Sequence, residues 1–249
     1  MKALILTAGC SRRLRPLTDH TPKCLLSVGG VPILQRALRN LIGLGFDDFT
    51  VVTGYLAHRV RDAIGTWFPE LSVEYIDNPD YATTNNAYSL ELAGRALAGE
   101  ELFLLDGDII YDVGVVQKLL DRGADCLALR SEGTIGLEEV KVAVAGDRIE
   151  QIGKEVAVPS AVGESVGIEY FSGATSERLF AILADRVRGQ GLVNEYYEAA
   201  FQQMFDEGVS MGAVDITPHY AIEIDTPDDL AAANRILLSR RSATGRAAV

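Results

Sequence analysis

A short apolar run that leads directly into a basic loop is the feature that most constrains the fold of this chain. Ala3 to Thr7 is predicted to be a buried strand. The loop after it is rich in cations: Arg12, Arg13, Arg15 and Lys23. In α/β folds, phosphates bind at the carboxyl ends of buried strands, where turns of small residues present free N–H groups. The stretch therefore predicts an α/β fold with a phosphate site in this loop.

The remaining pattern agrees with that fold. Apolar spacing of i, i+3 and i+4 predicts a helix over 32–44, and strands and helices alternate from there to residue 123. After residue 123 the rhythm changes, and 140–152 is predicted to be a β-hairpin with its turn at Gly146-Asp147. Helices are then predicted over 175–188 and 194–207, and strands near 210–215 and 221–224. We therefore predict a doubly wound, Rossmann-like sheet that is mixed but mostly parallel, with a small β-hairpin and helical extension.

Composition limits the partners. The 249 residues are 48% apolar, which is enough for a full core, and the formal net charge of −12 argues against a nucleic-acid partner. A basic loop on an acidic body instead suits a small phosphorylated substrate with a divalent cation. The three cysteines lack metal-ligand spacing, and no apolar run reaches membrane length. We expect a cytoplasmic monomer or homodimer that binds no membrane.

Two acids stand at the ends of predicted strands. Asp108 closes the sequence LLDGD, and Asp225 lies in IEIDTPDDL, directly before a helix start at Thr226-Pro227. Open α/β sheets place their ligand-binding groups at such strand ends, and carboxylate oxygens suit Mg²⁺. The alternative is that both acids only cap turns.

The basic loop resembles that of nucleotidyltransferases of the sugar-phosphate type. These begin with a strand and the pattern G-x-G-[ST]-R-[LM]-x-P-[LM]-T, with P-K several residues later. The chain matches the pattern at Gly9, Arg13, Leu14, Pro16, Leu17, Thr18, Pro22 and Lys23. It departs at Ser11, which replaces the second glycine, and at Arg12, which replaces Ser or Thr. No Walker-type or dinucleotide-binding glycine pattern is present in this loop.

The resemblance implies a role for each of these residues. Arg13 would neutralise the triphosphate, and Lys23 the α-phosphate and the acceptor, so both are candidate catalytic residues. Asp108 and Asp225 would hold Mg²⁺, and Asp106 is assigned to nucleotide binding beside them. Residues of the loop would cradle the phosphates through their backbone amides. These residues are Thr7, Ala8, Gly9, Cys10 and Ser11.

The segment from Thr84 to Leu90 narrows the resemblance. Its N-N-x-Y-S-L form is similar to cytidylyltransferases of small phosphorylated alcohols and phosphonates, notably the phosphocholine and 2-aminoethylphosphonate enzymes. Asn85, Asn86 and Ser89 are therefore predicted to bind the nucleotide, since amides can donate to and accept from a pyrimidine edge or ribose. The alternative for Asn85 is a helix cap, and the two roles can coexist.

The acceptor site is predicted from scattered residues. Lys154 would meet the acceptor's phosphate, although it could equally be a surface lysine. Tyrosines, helped by Glu169, Glu195 or Glu198, could form part of an aromatic box for a quaternary ammonium, with core packing as the alternative. The tyrosines considered are Tyr81, Tyr88, Tyr170, Tyr196 and Tyr197. Of these, Tyr88 and Tyr196 are assigned to the acceptor.

These features together predict a Mg²⁺-dependent nucleotidyltransferase. It would transfer CMP from CTP to a phosphocholine-like or aminoethylphosphonate-like acceptor and release pyrophosphate. Residues 1–123 would bind the nucleotide and 124–238 the acceptor within a single domain, with 239–249 as a frayed tail. One alternative is a sugar-1-phosphate thymidylyl- or guanylyltransferase. Another is a non-enzymatic regulatory protein that binds nucleotide or sugar phosphate, but such a protein need not retain two metal carboxylates.

Overall fold

The structure is a computed structural model that describes the backbone of residues 1–246 and the side chains of residues 1–238. The strands are β1 (Lys2–Leu6), β2 (Ser27–Val28), β3 (Val31–Pro32), β4 (Phe49–Thr53), β5 (Val73–Asp77), β6 (Leu102–Asp106), β7 (Ile109–Tyr111), β8 (Cys126–Arg130), β9 (Lys141–Ala145), β10 (Arg148–Gly153), β11 (Gly163–Phe171), β12 (Gly212–Asp215) and β13 (Ala221–Glu223). The α-helices are α1 (Ile33–Gly43), α2 (Ala57–Trp67), α3 (Asn86–Leu97), α4 (Val113–Arg122), α5 (Gly173–Ala184), α6 (Glu198–Asp206) and α7 (Pro227–Arg246).

One large mixed sheet has the strand order β5-β4-β1-β6-β11-β8-β12-β10-β9. The first four strands are mutually parallel and form the doubly wound part. β11 runs antiparallel between β6 and β8, and β10 runs antiparallel to its neighbours β12 and β9. Because the remaining strands share one direction, the predicted mixed, mostly parallel α/β sheet is confirmed.

Helices cover both faces of this sheet, which explains why its central strands are almost continuously apolar. In β6, Phe103 and Leu105 join one core cluster with α1 and α4. Leu102 and Leu104 point to the opposite cluster, which contains α3, α5 and α6. This alternation ends at Asp106, where β6 leaves the core at the carboxyl edge of the sheet.

The two predicted halves share this sheet, because β11 from the second half pairs with β6 from the first. A few elements differ from the prediction. The three-residue strands β7 and β13 pair with each other: a strand was predicted near 221–224, whereas no element was predicted over 109–111. The helix predicted over 175–188 ends at Ala184 and continues as a π-helical turn over Asp185–Gly189.

Two further segments complete the comparison with the prediction. The helix predicted over 194–207 begins only at Glu198, because the N-terminal end of α3 holds the chain before it: Asn85 N donates to Val193 O at 2.9 Å. α7 runs to Arg246, and residues 247–249 of the predicted tail lie outside the described residues. Among the described helices, none combines the length and apolar character that crossing a membrane requires.

Candidate active site

The basic loop after β1 is folded by its own polar contacts at the carboxyl edge of the sheet. Thr7 Oγ1 donates to Val52 O at 2.8 Å, and Thr18 Oγ1 donates to Ser11 O at 2.9 Å. Ser11 has a φ of 44°, in the left-handed region that favours glycine. The position therefore suits the glycine of the resembled pattern, and the serine keeps the same backbone. A short 3₁₀ turn over Arg12–Leu14 follows and buries Leu14.

Cations from this loop meet the two carboxylates predicted to bind metal. Lys23 Nζ lies 2.5 Å from Asp108 Oδ2 and 2.7 Å from Asp225 Oδ1. Arg13 contacts the other oxygen of Asp225. Arg13, Lys23, Asp108 and Asp225 were identified from separate motifs, and the structure brings all four together.

The titration behaviour of this group follows from burial and charge. Burial alone would lower the pKa of Lys23, but Asp108 and Asp225 outweigh it, so the pKa is raised and the ammonium stays charged. For Asp225, burial opposes ionisation, yet Lys23 and Arg13 hold its pKa below the usual value. The site therefore keeps both signs of charge at neutral pH.

A third carboxylate completes a possible metal site. Asp108, Glu223 and Asp225 each offer an oxygen, and these atoms lie within 4.8 Å of one another. We call these residues the metal triad. Asp108 Oδ1 is buried without a hydrogen-bond partner among the described residues, and burial next to Asp108 and Asp225 raises the pKa of Glu223 to about 8. Three hard oxygen ligands at this spacing fit a divalent cation such as Mg²⁺.

Two local features hold the late carboxylates in place. β13 pairs with β7, so Glu223 lies opposite Ile109, and Ile224 N donates to Asp108 O at 3.1 Å. The first turn of α7 fixes the next residues, because Asp229 Oδ2 accepts from both Asp225 N and Thr226 N. The motif that predicted a helix start thus also orients the Asp225 carboxylate.

The residues predicted to bind the nucleotide base have structural partners. Asn85 caps α3 by accepting from Asn86 N at 2.8 Å, as the alternative interpretation anticipated. Asn86 Oδ1 accepts from Tyr197 N at 2.9 Å, and Ser89 Oγ accepts from Asn78 Nδ2 at 3.0 Å. The segment therefore links α3 to the chain entering α6, and its role in base recognition stays a prediction.

The predicted acceptor residues are only partly brought together. Lys154 Nζ lies 5.0 Å from the centre of the Tyr196 ring and 3.6 Å from Glu138. Tyr88, which lies on α3, donates its hydroxyl to Asp80 Oδ2 at 3.0 Å. Tyr170 contacts Glu101, which precedes β6 at the opposite edge of the sheet. An aromatic box built from the five tyrosines is therefore not formed.

A group of buried acids lies beside the metal triad, and its members were named singly from the sequence without a prediction that they form a group. We call Asp106, Glu169 and Glu198 the acid cluster. Burial is the largest cause of the raised pKa of each of the three, and the charge of Glu198 further raises the pKa of Asp106 and of Glu169. Glu198 reaches a pKa of about 7. Tyr197 OH donates to Asp106 Oδ2 at 2.8 Å. The available signal was an acid within the apolar strand sequence IEYF, at Glu169.

The comparison with protein families agrees with this geometry. Residues 3–200 match the family described as MobA-like NTP transferase domain. The chain belongs to this family. It is therefore a nucleotidyltransferase, and Arg13, Lys23 and Asp108 lie inside the matched region, whereas Glu223 and Asp225 lie beyond it.

Three curated relatives carry related names. Choline-phosphate cytidylyltransferase of Streptococcus pneumoniae is 25% identical over 95% of this chain and 98% of its own length. 2-Aminoethylphosphonate cytidylyltransferase of Lancefieldella rimae is 28% identical over 92% of this chain and 90% of its own length. CMP-5'-(3-aminopropyl)phosphonate synthase of Streptomyces rubellomurinus is 36% identical over 48% of this chain, which spans about a fifth (19%) of that protein.

Solved structures support the fold. A CTP:phosphocholine cytidylyltransferase from Streptococcus pneumoniae superposes with a TM-score of 0.76 and 24% identity, covering 95% of this chain and 98% of that one. The fold of this chain is therefore one that solved nucleotidyltransferase structures share.

Proposed function

We propose that this nucleotidyltransferase is a cytidylyltransferase that transfers CMP from CTP to a small phosphorylated alcohol or phosphonate and releases pyrophosphate. The observation that carries the proposal is the meeting of Arg13 and Lys23 with the metal triad at one edge of the sheet. These groups supply the cations and hard oxygen ligands that a triphosphate requires. The names of the relatives support CTP as the nucleotide and a phosphate or phosphonate as the acceptor.

The reaction needs charge neutralisation more than proton transfer. A phosphate or phosphonate oxygen of the acceptor attacks the α-phosphorus of CTP and forms a new P–O bond. The bond from the α-phosphorus to the bridging oxygen breaks, and pyrophosphate leaves with the electron pair. Because the attacking oxygen is already ionised at neutral pH, no general base is required. The chain contributes by positioning the reactants and neutralising their charge.

Each cation has a defined part in this scheme. Arg13 neutralises the triphosphate, and Lys23 bridges the α-phosphate and the attacking group. Both cations contact carboxylates in the structure, so substrate phosphates replace these ion pairs rather than meet unpaired charges. The metal triad would hold Mg²⁺, which when bound stabilises negative charge that develops on the phosphate oxygens.

A substrate panel tests the proposal. Pyrophosphate release is measured for CTP, ATP, GTP and dTTP with phosphocholine, 2-aminoethylphosphonate, inositol phosphate and hexose 1-phosphates. We expect at least about a tenfold preference for CTP, equivalent to about 1.4 kcal/mol, and loss of turnover when EDTA removes divalent cations. A preference for dTTP or GTP with glucose 1-phosphate would overturn the cytidylyltransferase assignment. Nucleotide binding without turnover of any pair would favour a regulatory protein.

A further inference from the structure

We infer that the acid cluster binds the protonated primary amine of the acceptor, so the substrate is an aminoalkyl phosphonate or aminoalkyl phosphate and not a quaternary ammonium compound. The inference rests on the proposed function, because it identifies the chemical group at the end of the acceptor that lies away from the reacting phosphate. It concerns three residues on three different elements: Asp106 on β6, Glu169 on β11 and Glu198 at the start of α6.

The position of the acid cluster suits the far end of a short acceptor. Asp106 ends β6 two residues before Asp108 of the metal triad. β11 lies beside β6, with Glu169 opposite Leu104. Gly167 of β11 leaves room for the carboxylate, since a Cβ there would lie 2.7 Å from Asp106 Oδ2. A phosphate at the metal triad and an ammonium at the acid cluster therefore fit the two ends of one small molecule.

The acid cluster lacks a compensating cation of its own. Glu169 is fully buried, and Glu169 Oε2 and Glu198 Oε2 have no hydrogen-bond partner among the described residues. Glu169 Oε1 has only a long contact of 3.5 Å with Ser165 Oγ. The charge of Lys154 lowers the pKa of Glu198, but no ion pair joins a described Lys or Arg to any of the three acids. Buried carboxylates in this state call for a cation from outside the chain.

The spacing favours an ammonium over a second metal ion. Among the described residues, the metal triad is the group whose three ligand oxygens lie within 4.8 Å of one another, so the acid cluster is spaced more widely. Mg²⁺ holds its oxygen ligands at about 2.1 Å, whereas an N–H···O hydrogen bond spans about 2.7–3.2 Å. An ammonium with several donors therefore reaches carboxylates that one small metal ion cannot.

The surroundings favour a primary amine over a quaternary one. A quaternary ammonium has no N–H donor and is bound by aromatic faces. Here the Tyr197 ring packs on Phe201 with centroids 5.0 Å apart and presents its hydroxyl to Asp106, and the Tyr196 ring is covered by Lys154. The acid cluster thus offers unpaired oxygen atoms, which a –NH₃⁺ group satisfies and a trimethylammonium group does not.

An N-methylation series tests the inference. Phosphoethanolamine, its N-methyl and N,N-dimethyl derivatives and phosphocholine share one phosphate and one carbon chain. With CTP, we expect kcat/KM to fall with each methyl group, by at least about tenfold from first to last, because unsatisfied buried polar groups reject the analogue. 2-Aminoethylphosphonate should likewise exceed 2-hydroxyethylphosphonate by at least about tenfold on the same grounds. Equal or greater kcat/KM for phosphocholine or for the hydroxyl analogue would overturn the inference.

Variants connect the preference to the acid cluster. Glu169→Gln and Glu198→Gln should each reduce the difference in kcat/KM between phosphoethanolamine and phosphocholine, because KM should rise more for the primary amine than for phosphocholine. The matched control is Glu138→Gln, whose acid is 94% exposed beside Lys154 and should leave the series unchanged. If all three variants change the ratio of kcat/KM for phosphoethanolamine and phosphocholine equally, the preference arises from the protein's overall negative charge and the inference fails. If a variant does not fold, the wild-type series alone decides.

Calorimetry separates this inference from the proposed function. Phosphoethanolamine, phosphocholine and 2-hydroxyethylphosphonate are titrated into the full chain without CTP. Absence of turnover with every nucleotide overturns the proposed function, and the titrations then decide the inference: tighter binding of phosphoethanolamine supports it. Equal binding of the three compounds, or no binding of any amine at millimolar concentration, overturns it.

Discussion

The metal triad and the acid cluster lie side by side and contain the same number of carboxylates, but they differ in how their charge is balanced. Lys23 and Arg13 contact the metal triad directly, and they keep the pKa of Asp225 low despite burial. The acid cluster has no such partner among the described residues, and the pKa of each member is raised. From the proposals above, we expect the metal triad to exchange existing ion pairs for substrate, and the acid cluster to gain a counter-ion when the acceptor binds.

The difference follows from the elements that supply each site. The metal triad lies at the rim of the sheet, where the basic loop after β1 can reach it. The acid cluster lies on β6, β11 and α6, beside the apolar core: Tyr197 contacts Asp106 through its hydroxyl and packs its ring on Phe201. The comparison leads us to expect that a buried acid group without a counter-ion binds a ligand's positive charge, whereas an acid group paired with cations exchanges those ion pairs for substrate.

Removing a carboxylate of the metal triad should have the largest effect. Asp108→Asn and Asp225→Asn should each lower kcat by about a thousandfold, or about 4 kcal/mol, because a metal ligand stabilises transition-state charge. Steady-state kinetics with Mg²⁺ measure the loss, and circular dichroism checks the fold. Asp147→Asn, at the exposed turn between β9 and β10, is the control and should retain activity. Near wild-type kcat in either variant would remove that residue from the metal triad.

Removing Arg13, a cation that contacts the metal triad, should have the next largest effect. Arg13→Ala should lower kcat/KM by about a hundredfold, the usual effect of deleting one donor that stabilises developing charge. Arg12→Ala should cost less than about threefold, because Arg12 is exposed and has the character of a surface residue. The comparison of the two variants uses the same assay. Equal losses would show that the register of the loop differs from the one assigned.

The free energy of unfolding tests whether the acid cluster lacks a counter-ion. Glu169→Gln should raise the free energy of unfolding at pH 8 by about 1 kcal/mol or more, since each pKa unit corresponds to 1.36 kcal/mol. Burial raises the folded-state pKa of Glu169 above the unfolded value near 4.3. Ionisation therefore costs stability above about pH 4.3, and the cost grows as pH rises toward the folded-state pKa. Below that pH both states bind the proton, and the advantage of the variant should vanish.

Urea unfolding at pH 4 and pH 8 measures this effect, and Glu195→Gln provides a control of opposite sign. Glu195 accepts two hydrogen bonds of 2.9 Å from Arg186, so its replacement should destabilise the protein. If Glu169→Gln destabilises to the same degree at pH 8, the acid cluster is balanced by a group other than a ligand.

Most of the fold and the balanced site could be predicted from the sequence. The resemblance to nucleotidyltransferases implied that Asp108 and Asp225 share a metal ion, and Arg13 and Lys23 came from a recognisable motif. Glu223 was not assigned a role, because a strand of three residues, β13, has too little pattern to show which face it presents.

Asp106 and Glu169 were each expected near a substrate, but their meeting with Glu198 could not be predicted, for physical reasons. A single Glu in an apolar strand normally points to solvent, whereas Glu169 is fully buried on β11 between β6 and β8. Glu198 lies in a stretch with helical periodicity, and the hydrogen bond from Tyr197 N to Asn86, which fixes where α6 begins, is a contact between distant parts of the chain. Tertiary pairings of this kind leave no local signature.

The pairing of β7 with β13, which brings Asp225 to Lys23, has a consequence for the kinetics of folding. Lys23 and Asp225 are 202 residues apart in sequence, yet their side chains touch. Closing so long a loop carries a large entropic cost before any contact repays it, so such pairings form late. During refolding, helix and sheet signals should therefore return first, and recovery of catalytic turnover reports the moment when the last strand joins the first loop.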